Sequence, residues 1–241
     1  MRYQDVIKTI KSRGYWRISF EPLNGNKLTL AQCKGLVQKD AVHLRGWDYP
    51  HIPQRQGEDT ALEPGDNYWQ GWLDWQGENH KEFWRMYQSS QFIHYLGLRE
   101  DWIEELKMGN MWQREDETFS SGQALGVVAT TYQITEIFEF LSRLMIDGLY
   151  EEGVKVTVAL RNTQGRRLAV DNFQRVGFST PKITSGENIS FSKQYTKDEI
   201  VSDPKGKSLE AIVHLFERFG WSPPNIEVIK SDQEKFLEGK I

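Results

Sequence analysis

The sequence predicts an α+β fold built from mixed sheets with packed helices and divided into two loosely separable parts. Segments with apolar residues at helical spacing and segments with strand-like alternation both occur along the 241 residues. Eight of the nine tryptophans precede residue 113, and a polar run over residues 113–123 is typical of an exposed connection. We therefore predict a Trp-rich α+β part over residues 1–121 that packs against a second α+β part over residues 122–241.

Local signals in the N-terminal part predict a helix, a strand, a second helix and a second strand. Residues 3–10 carry apolar side chains at helical spacing before a glycine. The segment YWRISFEP (15–22) alternates like a strand, and its proline ends the pattern. Thr29 and Gln32 match a capping box at the start of the next helix. The segment AVHLRGW (41–47) is then predicted as the second strand.

The middle of the chain predicts a long surface loop followed by an aromatic strand. Prolines and glycines break any period over residues 48–65. The segment NYWQGWLDWQ (67–76) alternates as a strand with aromatic residues on both faces, and it places Trp72 opposite Trp75. Both faces are therefore covered, or one aromatic face binds a partner. The segment KEFWRMYQSSQFIHYLG (81–97) is compatible with a helix at its start and a strand at its end, and the pattern does not separate the two.

In the C-terminal part we predict, in chain order, a buried strand, an amphipathic helix, a β-hairpin and a further strand. These elements span residues 124–134, 135–153, 154–170 and 188–196. Asp203 and Pro204 are typical of the cap and first residue of another helix. The segment IEVIK (226–230) is predicted as a last strand.

Composition indicates a soluble cytoplasmic protein without a membrane partner. A net charge of −4 and a predicted pI of about 5.8 remove the global attraction that drives non-specific nucleic-acid binding. The single cysteine, Cys33, excludes an intramolecular disulfide and a cysteine-based metal cluster, and it fits a reducing compartment. No segment approaches the roughly 20 apolar residues that cross a bilayer. The identity of any cofactor stays unknown at this level.

The segment VHLRGWDYPHIP (42–53) is the leading candidate site. Arg45, Asp48 and His51 emerge where a predicted strand turns into a loop, a usual place for residues that meet ligands. Asp48 and His51 would suit an orienting carboxylate and a base, while Arg45 would hold an anion. In the structural alternative, Arg45 pairs with Asp48, and Trp47 and Tyr49 anchor the loop to the core. Together with Trp72, these side chains form the predicted binding set.

Two rival chemistries draw on further residues, and the first of them also uses Asp48 and His51. The acidic residues Glu58, Asp59, Glu63 and Asp66 lie near His51 in sequence and would supply oxygen ligands for magnesium or manganese, as in a hydrolase or nuclease. The five histidines show no HExxH or close ligand pair, so no metal site is predicted. Alternatively, Arg161, Arg166 and Arg167 on the predicted hairpin would contact DNA.

Two segments, LRGWDYPHIP and the downstream FWRMYQSSQFIHYLG, resemble segments of an uncharacterised group of bacterial proteins. Some members of that group resemble proteins that carry a DNA-binding domain of the AlbA or Schlafen-like type. The likeness covers about the first 100 residues, and this chain shows no recognisable AlbA-like domain. The resemblance implies a bacterial source and an accessory or ligand-sensing role, without carrying DNA binding over.

The sequence thus favours a non-catalytic protein that recognises a partner macromolecule or a small ligand through the aromatic and polar loop. This hypothesis depends on the concentration of such residues at one predicted strand-to-loop transition. A metal-dependent hydrolase or nuclease is the first alternative, and a DNA-associated subunit is the second.

Overall fold

A computed structural model describes residues 2–25, 27–75, 77, 79–108 and 117–240, and it confirms the α+β class. The helices in these ranges are α1 (Tyr3–Lys11), α2 (Leu30–Asp40), α3 (Val127–Ile146), α4 (Lys197–Ser202), α5 (Pro204–Glu217) and α6 (Ile226–Leu237). The strands are β1 (Tyr15–Pro22), β2 (Thr60–Pro64), β3 (Tyr68–Trp75), β4 (His80–Tyr87), β5 (Phe92–Gly97), β6 (Glu105–Met108), β7 (Glu117–Ser120), β8 (Ala124–Gly126), β9 (Val154–Arg161), β10 (Arg167–Ala169) and β11 (Asn188–Tyr195). Trp112 and the start of the predicted connection, residues 113–116, lie outside the described ranges.

The central sheet has seven antiparallel strands in the order β11-β9-β1-β5-β4-β3-β2. Strand β1 lies between β5 and β9, so that Ile18 is opposite His94 on one side and Val158 on the other. There are two further small sheets in the described ranges, a parallel β10-β8 pair and an antiparallel β6-β7 pair. Because β1 and β9 come from opposite sides of residue 121, the sheet is shared by the two predicted parts. Their separability stays a prediction.

Helices cover both faces of this sheet. On one face, Trp16, Ile18 and Phe20 of β1 join a large core with α3, whose side chains are buried almost all round its axis. We call this the α3 face. On the other face, Val6 and Ile10 of α1 cover a smaller aromatic cluster. None of the described helices combines the length and the apolar content that crossing a membrane requires.

Elements with a local chemical signal form as predicted. The capping box of α2 is present, since Thr29 Oγ1 accepts from the Gln32 backbone N–H at 3.2 Å and Gln32 Oε1 accepts from the Thr29 backbone N–H at 2.9 Å. Asp203 caps α5 by accepting from the Gly206 N–H, and Pro204 is its first residue. The ambiguous residues 81–97 belong to a hairpin of β4 and β5, with Ser90 in its turn at φ 64°.

Five predicted elements are wrong. The predicted loop over residues 48–65 contains a strand, since Thr60–Pro64 form β2 and pair with β3. Residues 41–47 form no strand, because Val42 makes only an isolated bridge to Tyr49. Within 124–134 the strand stops at Gly126, where α3 begins. The predicted hairpin over 154–170 is absent, since β9 pairs with β1 and β11 while β10 pairs with β8. Residues 226–230 start α6 instead of a strand, because Asn225 accepts from the Val228 N–H as an N-cap.

Candidate functional site

Residues 42–53 form a loop on the α3 face of the sheet, and the strands beneath hold it at several points. The His51 backbone N–H donates to Glu82 Oε1 at 2.8 Å, and Trp84 Nε1 donates to the His51 carbonyl at 2.7 Å. The buried Tyr49 hydroxyl lies in hydrogen-bond contact with His94 Nδ1 at 3.0 Å. Because β4 and β5 supply these partners, the loop has a defined position despite lacking secondary structure of its own.

Arg45 ties the same loop to α3. Its Nε donates to Glu136 Oε1 at 3.0 Å, and its Nη2 donates both to the second Glu136 oxygen and to Gln133 Oε1. Glu136 is completely buried, whereas 30% of the Arg45 side chain is exposed. Burial raises the pKa of Glu136 to about 7, although the Arg45 charge opposes that shift. The predicted pairing of Arg45 with Asp48 is therefore replaced by a bidentate pair with a buried glutamate.

A second buried carboxylate, Glu82, lies between two histidines. Its Oε2 lies 2.7 Å from His80 Nε2, and its Oε1 lies 3.0 Å from His94 Nε2. Burial opposes ionisation of Glu82, but His94 and His80 together hold its pKa well below the usual range. Burial raises the pKa of Tyr49 well above its ordinary value, and both Glu82 and Glu136 add to that shift. The loop thus covers a connected set of buried charged and polar groups.

Aromatic rings stack at the outer end of this loop. The Trp47 ring lies 4.4 Å from the His51 and His80 rings and 5.3 Å from Trp75, measured between centroids. Burial lowers the pKa of His51, which favours its neutral form. Asp48 does not orient His51, because its Oδ1 lies 2.7 Å from His43 Nδ1. The proposed carboxylate and base are therefore not paired.

The loop forms one wall of a pocket of about 580 Å³. Arg45, Gly46 and Trp47 line this wall, and the first two turns of α3 line the facing side through Ala129, Thr130 and Gln133. The remaining lining side chains are Trp16, His80, Leu96, Arg99, Glu100, Ile103 and Leu125. Two of the lining groups, Trp47 Nε1 and Gln133 Nε2, are buried without a hydrogen-bond partner in the described part of the chain. Buried polar groups without a partner are rare in native structures, and each calls for an explanation such as a bound water or ion.

Comparisons with known proteins identify no relative. No family model matches the chain, and neither a curated protein nor a solved structure matches it significantly. The resemblance to the bacterial group with the RGWDYPHI-type motif therefore stays a prediction.

Five of the six predicted binding residues, Arg45, Trp47, Asp48, Tyr49 and His51, lie together in the loop. Trp72 does not join them, because its side chain lies on the opposite face of the sheet in the cluster under α1. Only 4% of Trp72 is exposed, and its Nε1 donates to Glu63 Oε1 at 3.2 Å. The face of β3 that carries Trp72 is therefore covered by α1, and Trp72 cannot contact a partner bound on the loop side of the sheet.

The residues of the metal hypothesis do not converge. In the ranges that the structure describes, no three His, Cys, Asp or Glu side chains are arranged to hold a metal ion. Within the acidic loop, Asp59 pairs with Arg55 at 3.3 Å, and Glu63 accepts from Gln70 and Trp72.

The three arginines of the DNA hypothesis do not form a common surface. Arg166 is only 1% exposed and binds both carboxylate oxygens of Asp101 at 2.6 and 2.7 Å. The guanidinium of Arg167 lies 5.6 Å from the Phe119 ring. Arg166 therefore stabilises the interior of the fold instead of contacting a phosphate backbone.

Sequence reasoning missed Glu82, His94, Gln133 and Glu136. For two of them, the alternation of side chains along a strand is the signal. Glu82 lies on the same face of β4 as the buried Trp84. His94 lies on the same face of β5 as the buried Phe92 and Leu96. If residues 81–97 form two strands, this alternation places Glu82 and His94 on the sheet face that packs against α3. Glu136 and Gln133 give no such signal, because α3 is buried on nearly all sides and its apolar residues show no single stripe.

Proposed function

We propose that this protein is a non-catalytic binding protein that recognises a small ligand in the pocket between loop 42–53 and α3. One observation carries the proposal: the loop contributes two of its predicted binding residues, Arg45 and Trp47, to the wall of a pocket of about 580 Å³. Small-molecule sites in proteins span about 300–1,000 Å³. The loop is also held in place by β4, β5 and α3, which reduces the ordering cost of binding.

The lining of the pocket supports a ligand with an apolar body and a few polar groups. Trp16, Leu96 and Ile103 contribute apolar surface, while Arg45 and Thr130 contribute polar atoms at the α3 side. A mostly apolar wall with a small number of convergent polar groups is the usual composition of a small-molecule site.

The arrangement of Asp48 and His51 favours binding over catalysis. Asp48 contacts His43 and not His51, and His51 Nδ1 is buried without a partner in the part of the chain that the structure describes. A carboxylate that orients a catalytic histidine is hydrogen-bonded to that histidine, and Asp48 does not make this contact with His51. On the resemblance and the single cysteine, we place the protein in a bacterial cytoplasm.

Native mass spectrometry of the protein purified from its own host tests the proposal first. A retained molecule of a few hundred daltons that denaturation releases is the expected result. A retained protein chain would instead favour a macromolecular partner and count against the proposal.

Ligand-observed NMR with a fragment library then localises binding. Ala129→Phe places a ring at the pocket wall, and Ala31→Phe makes the same change on the exposed surface of α2. Fragments that bind the wild type and Ala31→Phe but not Ala129→Phe would support the pocket. Equal binding to both variants would refute it.

A further inference from the structure

The guanidinium of Arg45 is held along one edge and available along the other. Nε and Nη2 are directed at Glu136 and Gln133 on α3. Nη1 makes no hydrogen bond to any described residue and is not among the buried unpaired atoms, and the side chain lines the pocket. An arginine fixed along one edge presents its remaining N–H groups in a defined direction. Oxygen acceptors of a ligand would meet these groups without reorganisation of the side chain.

The net charge of the Arg45–Glu136 pair depends on the protonation state of Glu136. When Glu136 is ionised the pair is neutral, and when it is protonated the positive charge of Arg45 is no longer balanced. Two further groups interact electrostatically with the pair, Tyr49 from the loop and Glu82 from β4, and the Tyr49 hydroxyl in turn contacts His94 from β5. Glu82 contacts His80 and His94, whereas Glu136 pairs directly with Arg45, so Glu136 is the carboxylate that sets the net charge of this pair.

Two carboxyl groups near the pocket are disposed to take up a proton. Burial raises the pKa of Glu136 to about 7, and burial also raises the pKa of Glu100, which lines the pocket. An anion placed against Arg45 would raise the pKa of Glu136 further, because two negative charges would then share one arginine.

We infer that the pocket binds a small planar aromatic molecule with one carboxylate, that Arg45 Nη1 receives this carboxylate, and that Glu136 takes up one proton as it binds. Trp16, Leu96 and Ile103 line the pocket and would contact the ring. This inference rests on the proposed function and adds the ligand class and its coupling to pH. Because binding and protonation are reciprocally linked, the affinity should fall by up to about tenfold per pH unit above the titration range of Glu136.

Two probes of matched shape test the ligand class: 2-naphthoate and its neutral amide, 2-naphthamide. We expect the wild type to bind naphthoate about tenfold more tightly than naphthamide at pH 6.5, as measured by calorimetry. Arg45→Lys keeps a positive charge beside Glu136 but removes the planar fork, and it should lose this preference. Arg85→Lys is the matched control, because Arg85 is held by Gln70 through the same two nitrogens on the opposite face of the sheet.

Glu136→Gln tests the proton coupling. The amide oxygen still accepts from Arg45, but the negative charge is gone. At pH 8 we expect naphthoate to bind this variant about tenfold more tightly than the wild type, with little dependence on pH. Calorimetry of the wild type at pH 8 in phosphate and in Tris should reveal uptake of about one proton, and Glu136→Gln should show none.

The outcomes separate this inference from the proposed function. Equal affinities for the two probes, failure of both to bind, or equal effects of Arg45→Lys and Arg85→Lys would overturn the ligand class. Naphthoate binding without proton uptake would overturn the role of Glu136. The proposed function fails separately, when Ala129→Phe and Ala31→Phe bind the fragment library equally.

Discussion

Replacing Glu136 by glutamine should stabilise the protein at neutral pH and leave it unchanged near pH 4.5. The pKa of Glu136 is about 7 in the fold against an ordinary value of 4.5, so between these values the native state binds more protons than the unfolded state. Stability therefore falls as the pH rises through this window. A shift of 2.5 pKa units corresponds to about 3 kcal/mol, since one unit is 1.36 kcal/mol. Of this, about 2 kcal/mol should appear between pH 5 and pH 7.

Urea unfolding followed by tryptophan fluorescence measures this difference at pH 5, 6, 7 and 8. The difference between Glu136→Gln and wild type isolates Glu136, because all other titrating groups are common to both proteins. Glu58→Gln, at an exposed loop position, serves as the control and should show no comparable trend. A stability difference that is the same at pH 5 and pH 8, or a variant less stable than wild type at every pH, would refute the reasoning.

Three further substitutions test the packing and capping of the fold by urea unfolding. Gly71→Ala should cost about 1–3 kcal/mol, because its Cβ would lie 2.6 Å from the fully buried Trp84 indole; an unchanged midpoint would contradict this packing. Asp101→Asn should cost roughly 3–5 kcal/mol, since Arg166, unlike the part-exposed Arg45, is only 1% exposed and would keep an uncompensated charge away from water, and a loss below about 1 kcal/mol would argue against the pair. Thr29→Ala should cost about 1 kcal/mol through loss of the α2 cap, whereas Thr29→Ser should restore most of it.

Elements that depend on nearby residues were predictable from the sequence. The capping box of α2 and the Asp203 cap of α5 are chemical signals contained within four residues, and the structure confirms both. The strand predicted at 226–230 is wrong because Ile226 and Ile229 belong to a helical stripe that continues to Phe236, six residues beyond the end of that segment. The partner of β10 was not predictable from local pattern, since it pairs with β8 about 40 residues earlier, while the adjacent β9 pairs with β1.

The sequence indicated the loop of the candidate site but not the buried residues beneath it. The segment 42–53 is conspicuous because Arg45, Trp47 and His51 are concentrated in it. The buried partners Glu82 and Glu136 come from distant parts of the chain, and only the folded sheet and α3 bring them beneath the loop. Charged residues in such positions look like ordinary surface residues until their burial is known.

The position of β1 in the sheet has a consequence for synthesis. Its second neighbour, β9, ends at Arg161, about 140 residues after the end of β1. At 5–20 residues per second, β1 would wait roughly 7–30 s on the ribosome before that partner exists. During this interval one row of its backbone hydrogen-bonding groups lacks a strand, and such an edge is a template for pairing with other nascent chains. Expression yield should therefore depend on translation speed and on chaperones that shield the growing chain.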